Sequence, residues 1–403
     1  MCFDKLSNRE IDWITGSTGR TDCSQFDTAF RYKRMNNMQE LFFELIQVAI
    51  GKLIYLSRTP SEDEWKELYK MAKKQSLVGV CFAGVQKTLS NSSLKGEDPI
   101  VIGMPEMMYL TWMGMAAKIQ QRNEVVNQQC VDLQKRLAAD GIRSCILKGQ
   151  NAAKLYGNLS ALRQSGDIDV WVDAPRKEII EMVQKIAPTT NVREHHLELQ
   201  CFSDTEVEVH FWPAVIRHFR KNRKLQRWFD GKREEVFEKG EPTPEFHAIQ
   251  MMAHMYHHLF DSGIGLRQVM DYYFVLCTLG LNGSSGLNGS NGEIGKAIEH
   301  IGMGRFAAAM MWVLQESMGL EREKMICEPS EEDGKFLLGE IVRGGNFGKY
   351  DEKKTRDTSN YFSSFYGSIF RNMRYLRFNP FDWFWSPLWR LYYFGWRKVN
   401  GYK

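Results

Sequence analysis

Residues 147–173 read LKGQNAAKLYGNLSALRQSGDIDVWVD: a glycine turn, a short helical stretch, then two aspartates heading an apolar strand. Asp167 and Asp169 lie two apart on the strand expected at IDVWV, so both carboxylates project from one face. Two like charges held that close repel unless something neutralises them. A divalent cation does so directly, and hard oxygen ligands suit Mg2+ or Mn2+, bound through a few carboxylates together with substrate phosphates. Two such ions can clamp the attacking and leaving oxygens of a phosphoryl displacement. Upstream, Lys148 and Gly149 occupy a strand-to-helix turn. Glycine lets backbone N–H groups approach a phosphate, and the N-terminus of the following helix favours negative charge. Each feature has a plain structural alternative, an acidic strand end for the aspartates and a surface lysine for Lys148. Their succession on strand, turn, helix and strand says more than either alone.

Around this segment, residues 142–212 alternate between strand and helix patterns. IRSCILKG reads as a strand entering the turn, PRKEIIEMVQKIA as a helix with proline near its start, and HHLELQCF as a strand. VEVHFW sets Val207, Val209 and Phe211 against Glu206, Glu208 and His210, the period of a half-buried strand. His195 and His196 then read as part of a half-exposed strand. Such alternation over about 70 residues predicts a small α/β unit.

The flanks are helical. From 38 to 140 the pattern is helical throughout, with Ser61–Glu64 forming a capping box ahead of Trp65, Leu68, Tyr69 and Ala72. An amphipathic stretch runs from about Pro105 to Asp140, and Gly141 is placed to stop it. The methionines at 104, 107, 108, 113 and 115 read as core filler. Beyond 243, Thr243-Pro244 opens a helix carrying His254, His257 and His258, which read as a partly buried face rather than a metal site. A second helix, IGLRQVMDYYFVLCTL, places Arg267 four residues before Asp271, as an intrahelical ion pair or as part of a nucleotide pocket. The organisation expected is an N-terminal extension over 1–37 without regular structure and a helical domain over 38–140. An α/β core follows over 141–240, then a helical C-terminal domain over 241–370 with a flexible loop at 281–292. The tail, 371–403, gathers Trp383, Trp385, Trp389 and Trp396 among arginines; it would pack on the body, lie on a membrane surface or bind a partner, with Pro380 and Pro387 interrupting any long helix.

The 403 residues are 43% hydrophobic and 25% charged, with net charge +4. So nearly balanced a charge gives no strong nucleic-acid signal. Eight scattered cysteines form neither a metal-ligand spacing nor a disulfide framework, which points to a cytoplasmic protein.

These residues resemble the nucleotidyltransferase superfamily that includes DNA polymerase beta and the CCA-adding enzymes. Its signature is a Gly-Gly or Gly-Ser turn, a short helix, Asp-apolar-Asp on a strand, and a third carboxylate on a later strand. The chain is more closely similar to an uncharacterised bacterial nucleotidyltransferase family that carries LKG, RxxGDID, a VELH-type strand and a GLRQxxD helix. Here those read Leu147-Lys148-Gly149, Arg163 with Gly166-Asp167-Ile168-Asp169, Val207-Glu208-Val209-His210, and Gly265-Leu266-Arg267-Gln268 with Asp271. The resemblance spans roughly 38–320 and is most specific over 145–275.

The resemblance implies an α+β fold in which a small mixed sheet is flanked by helices. It implies that Asp167, Asp169 and Glu208 are catalytic and hold Mg2+ or Mn2+. Lys148, Gly149, Gln150, Arg163, Gly166 and Arg267 would bind the nucleotide. Gln150 stands where serine is usual, and the span from Gly149 to Asp167 is longer than in most members. The reaction expected is metal-dependent transfer of a nucleotidyl group from an NTP, ATP among them, to an acceptor hydroxyl on a protein, metabolite, sugar or RNA end, with release of pyrophosphate. The alternatives are a catalytically silent nucleotide-binding protein and a membrane-surface scaffold, for example of an envelope polysaccharide pathway.

Overall fold

Ile168, Val170 and Val172 alternate with Asp169 and Trp171, and Val207 and Val209 alternate with Glu208 and His210. Each strand therefore has an apolar face and a face that carries chemistry. The computed structural model describes residues 37–94, 103–186, 189–279, 289–351, 372–378 and 380–400. The expectations for 1–36 and for 281–288 of the loop lie outside those residues. The chain divides into a leading unit, Met1–Leu41, and a second, Phe42–Lys403, which holds the sheet and the candidate site.

Five strands, β1 (Ser144–Ile146), β2 (Ile168–Val172), β3 (Thr189–Val192), β4 (His196–Leu199) and β5 (Val207–His210), form one sheet in the order β1-β2-β5-β4-β3. β2 and β5 are parallel and the other pairs are antiparallel, so the sheet is mixed, as expected. β3 is an addition to the sequence reading. Among the described residues four helices precede the sheet: α1 over residues 37–49, α2 (Glu62–Gln75), α3 (Val78–Leu94) and the 34-residue α4 (Glu106–Ala139). α5 (Lys148–Ala153) runs into a 3-10 turn, Lys154–Leu162, and α6 (Arg176–Ile186) links β2 to β3.

α7 (Phe219–Lys239), which the sequence pattern did not announce, is followed by α8 (Pro244–Leu259), α9 (Leu266–Leu279), α10 (Ser290–Ile301), α11 (Gly304–Met318), α12 (Glu331–Gly344) and α13 (Pro380–Val399). The capping box is present, with the Glu64 N–H donating to Ser61 Oγ and the Ser61 N–H to Glu64. Gly141 follows α4 at φ +74°, the left-handed conformation that glycine takes without strain.

The apolar face of β2 and β5 packs with Leu197 and Leu199 against Val126, Cys130, Leu133 and Leu137 of α4 and Ile179 and Val183 of α6. The opposite face is covered near Trp171, which meets Phe237 of α7 and stacks on Phe246 of α8 at a centroid distance of 5.5 Å. Beyond this aromatic lid that face is left to Asp169, Glu208 and His210.

Three expectations change. The methionines of α4 are not core: Met107 and Met113 are exposed, and Trp112, Ala116 and Ile119 make the buried contacts, because the apolar stripe of α4 falls on them. The loop expected at 281–292 yields by Ser290 to α10, where Asn291 is buried with its amide on the Glu323 carbonyl. Proline does not break the tail: α13 spans 20 residues with Pro387 inside. Pro380 opens that helix, where its missing N–H costs nothing, and Pro387 removes one backbone bond from a helix anchored by tertiary contacts. Lys221 Nζ lies 2.6 Å from Asp382, the Trp389 indole donates to Glu194 at 2.6 Å, and Arg390 donates to Asp261 at 2.7 Å.

Candidate active site

Parallel pairing of β2 with β5 sets Asp169 directly opposite Glu208, and antiparallel pairing of β4 with β5 sets His196 opposite His210. Two carboxylates and two imidazoles thus come from three strands onto one face of the sheet. Asp167, one residue before β2, stands at the open edge of the same group. Asn123 of α4 holds the preceding turn, donating to the carbonyls of Ala161 and Arg163 at 2.7 and 2.8 Å.

β1 ends at a sharp turn whose backbone is left-handed at both Lys148 (φ +34°) and Gly149 (φ +25°). For a lysine this conformation costs about 1 kcal/mol. The turn carries the buried Lys148 ammonium to within 2.6 Å of Asp169 Oδ1. His210 Nε2 lies 2.7 Å from the same oxygen and 3.4 Å from Glu208 Oε2, and His196 Nε2 lies 3.5 Å from Glu208 Oε1.

Burial opposes the charge on Asp169, but Lys148 and His210 hold its carboxyl well below the usual range. Glu208 is pushed up by burial and by the charge of Asp169. Asp167 is likewise raised, by loss of solvent in the cleft and then by Asp169. Burial also works against the Lys148 ammonium, yet the three carboxylates keep its pKa above the ordinary value. Burial keeps His196 neutral, its pKa lowered to about 2.

Lys148, Asp167, Asp169, His196 and Glu208 line a cavity of about 720 Å3, with His210 buried beneath Asp169 and Glu208. A smaller recess of about 40 Å3 shares Asp167 and Asp169 with it and adds Gly149, Gly166 and Arg267. Arg267 reaches the recess from α9 while donating to the Gln164 carbonyl at 3.0 Å. The nucleotide-side residues expected from sequence therefore divide. Lys148, Gly149, Gly166 and Arg267 stand beside the aspartates.

Arg163 also borders the recess, but its guanidinium is held by Asp271 through two bonds of 2.6 and 2.7 Å, inside the protein. Asp271 takes the Nε–Nη2 edge of the guanidinium, and Nη1 donates to the Gln164 carbonyl at 3.3 Å, so Arg163 braces the turn beside the recess. The same pair replaces the Arg267–Asp271 ion pair considered from spacing. Gln150 turns away, its amide donating to Asn127 of α4 at 2.6 Å, so its side chain contributes nothing to the cleft.

The sequence reading missed most of the histidines. His195, His254, His257 and His258 all line the larger cavity, with His254 Nδ1 3.3 Å from Lys148 Nζ. The i, i+3, i+4 spacing of His254, His257 and His258 on α8 was the available signal, but the direction of that face depends on how α8 meets the sheet. Arg390, Tyr393, Phe394 and Arg397 of α13 form another part of the wall.

A family described as uncharacterised nucleotidyltransferase matches residues 61–318. The chain belongs to this family. It is accordingly a nucleotidyltransferase, and the matched stretch contains every described strand together with Asp167, Asp169 and Glu208. α13 lies outside the matched stretch and still forms part of the cavity wall. No curated protein and no solved structure compared with the chain matches it.

Proposed function

We propose that this nucleotidyltransferase moves a nucleotidyl group from an NTP to an acceptor hydroxyl and releases pyrophosphate, using Mg2+ or Mn2+ held by Asp167, Asp169 and Glu208. The observation that carries this reading is the register that sets Asp169 opposite Glu208, with Asp167 at the edge and the Lys148-Gly149 turn beside them. The donor set fits a divalent ion: three carboxylates in one cleft, two of them with raised pKa values from crowding and lost solvent. The ion would supply charge neutralisation at the phosphates and at the acceptor oxygen.

The chain's own groups have separate tasks. Lys148, Arg267 and the backbone at Gly149 and Gly166 attract and orient the triphosphate beside the aspartates. Glu208, whose pKa is raised, takes the hydroxyl proton as the acceptor oxygen attacks the α-phosphorus and the bond to pyrophosphate breaks. The larger cavity, walled in part by α13, receives the acceptor. Its mixed charge and aromatic edges suit a polar acceptor, whether a protein side chain, metabolite, sugar or RNA end. A cytoplasmic setting agrees with the free cysteines Cys81, Cys130, Cys145, Cys201, Cys277 and Cys327.

Calorimetric titration of a non-hydrolysable ATP analogue, with and without Mg2+, into wild type and Asp169→Asn tests the reading. Binding that needs both metal and Asp169 is expected. Binding indifferent to both removes the carboxylates from the role given them here. Asp169→Asn should also lower transfer by at least about 100-fold once an acceptor is in hand.

A second reading concerns the tail. Phe381, Phe384, Leu388, Leu391, Tyr392 and Val399 are exposed along α13 at helical spacing, near Arg397 and Lys398. Among the described residues no helix is long and apolar enough to cross a membrane. An apolar stripe flanked by cations suits the surface of an anionic bilayer, which would bring a membrane-borne acceptor to the cavity that α13 walls.

A further inference from the structure

His210 sits one strand position beyond the pairing of Asp169 with Glu208, and its two ring nitrogens have different surroundings. Nδ1 lies 3.2 Å from the backbone carbonyl of Trp212, an acceptor, so Nδ1 carries a hydrogen. Nε2 is thereby the nitrogen turned to the carboxylates, 2.7 Å from Asp169 Oδ1 and 3.4 Å from Glu208 Oε2. One ligand atom from each of Asp169, Glu208 and His210 falls within 4.8 Å of the other two. A histidine whose far N–H is fixed by a carbonyl, with its near nitrogen facing carboxylates, has the arrangement of a metal-ligating imidazole and its supporting hydrogen bond. His196, opposite His210 across the strands, has its Nε2 3.5 Å from Glu208 Oε1.

We infer that His210 binds the catalytic-site cation directly through Nε2, so that Asp169, Glu208 and His210 make a mixed carboxylate–imidazole site that prefers Mn2+ to Mg2+. Mg2+ seeks oxygen ligands and keeps much of its water, whereas imidazole suits first-row transition ions. This rests on the metal-binding reading above and goes beyond it in naming the nitrogen ligand and the ion.

The test uses Mn2+ alone as the probe on the full-length protein, read by electron paramagnetic resonance. Wild type should bind Mn2+ at least about 10-fold more tightly than Mg2+ in competition, and its spin-echo spectrum should show nitrogen modulation. His210→Gln should weaken Mn2+ binding by about 10- to 100-fold and lose that modulation, while His196→Gln should keep it. Bound Mn2+ without nitrogen modulation in wild type overturns the inference, as does modulation that persists in folded His210→Gln. Should His210→Gln fail to fold, the wild-type spectrum and His196→Gln still decide. If Asp169→Asn abolishes Mn2+ binding but no nitrogen is seen, only the His210 ligand is lost. If wild type binds no Mn2+ at all, the metal reading falls with it.

Discussion

Arg163 shows how one residue can satisfy a motif and still do something else. It belongs to the RxxGDID pattern, four residues before Asp167, yet its guanidinium is spent on Asp271, which also accepts from Tyr156 at 2.6 Å. This network ties the turn that carries Gly166 and Asp167 to α9. Arg163→Ala would strand a buried carboxylate and should destabilise the protein by about 3–5 kcal/mol. In chemical denaturation the double variant Arg163→Ala/Asp271→Ala should recover part of that loss. A direct phosphate contact would instead weaken nucleotide binding with little change in stability, so denaturation and titration of the same variants separate the two roles. The resemblance could place Arg163 at the site, but not say which carboxylate it would meet: Asp271 lies 108 residues away.

At the scale of elements, strands were readable where alternation was strong. VEVHFW alternates cleanly and IDVWV reads as an apolar run, and they became β5 and β2; β3, TTNV with a bulge against β4, has only one large apolar residue to mark it. α7 has a strongly charged surface and a sparse apolar stripe of Leu225, Phe229, Val236 and Phe237, which hides its periodicity. α13 was obscured by its prolines, because local propensity cannot count the anchoring pairs at Asp382, Trp389 and Arg390.

The exposed stripe of α13 makes an element-scale prediction. Wild type should co-sediment with phosphatidylserine-containing vesicles and not with pure phosphatidylcholine. Phe384→Ser/Leu391→Ser should release it by roughly tenfold or more, given about 1.5–3 kcal/mol for burying each large apolar side chain. Equal behaviour of wild type and variant would leave the stripe without a membrane role.

For the molecule as a whole, the buried histidines set a pH dependence. Burial, then the charge of Asp271, act on His247, and the balance lowers its pKa from 6.5 to about 4. His258 is lowered to about 4 and His196 to about 2, in both cases by burial first. These rings are neutral in the fold and gain protons on unfolding. Between pH 6.5 and the lowered values the unfolded chain holds more protons, so stability present above pH 6.5 is lost as pH falls. In the metal-free protein His210 acts in the opposite sense. Burial disfavours its charge but Asp169 and Glu208 raise its pKa, so its contribution is full below pH 6.5 and fades as pH rises through the raised value. The depressed histidines outnumber it, and thermal unfolding should shift to lower temperature from pH 7 to pH 5. His247→Gln, away from the cavity, should flatten that slope, since its share over this range is about 2 kcal/mol. A melting temperature unchanged over this range would contradict the burial assigned to these rings.

What the sequence determined by itself is local: which residues pair at period two or three to four, where helices are capped, and that Asp167, Asp169 and Lys148 sit on a strand–turn–helix–strand succession. These follow from backbone geometry acting over a few residues. Glu208 came from resemblance, and its place opposite Asp169 from the parallel pairing of strands 39 positions apart. Only the tertiary structure decided that six histidines converge on the carboxylates, that Arg163 and Gln150 turn inward to Asp271 and Asn127, and that α13 joins the cavity wall. Each of those depends on which distant element is packed alongside. The packing energy is shared over the whole core, and no single stretch of chain carries a mark of it.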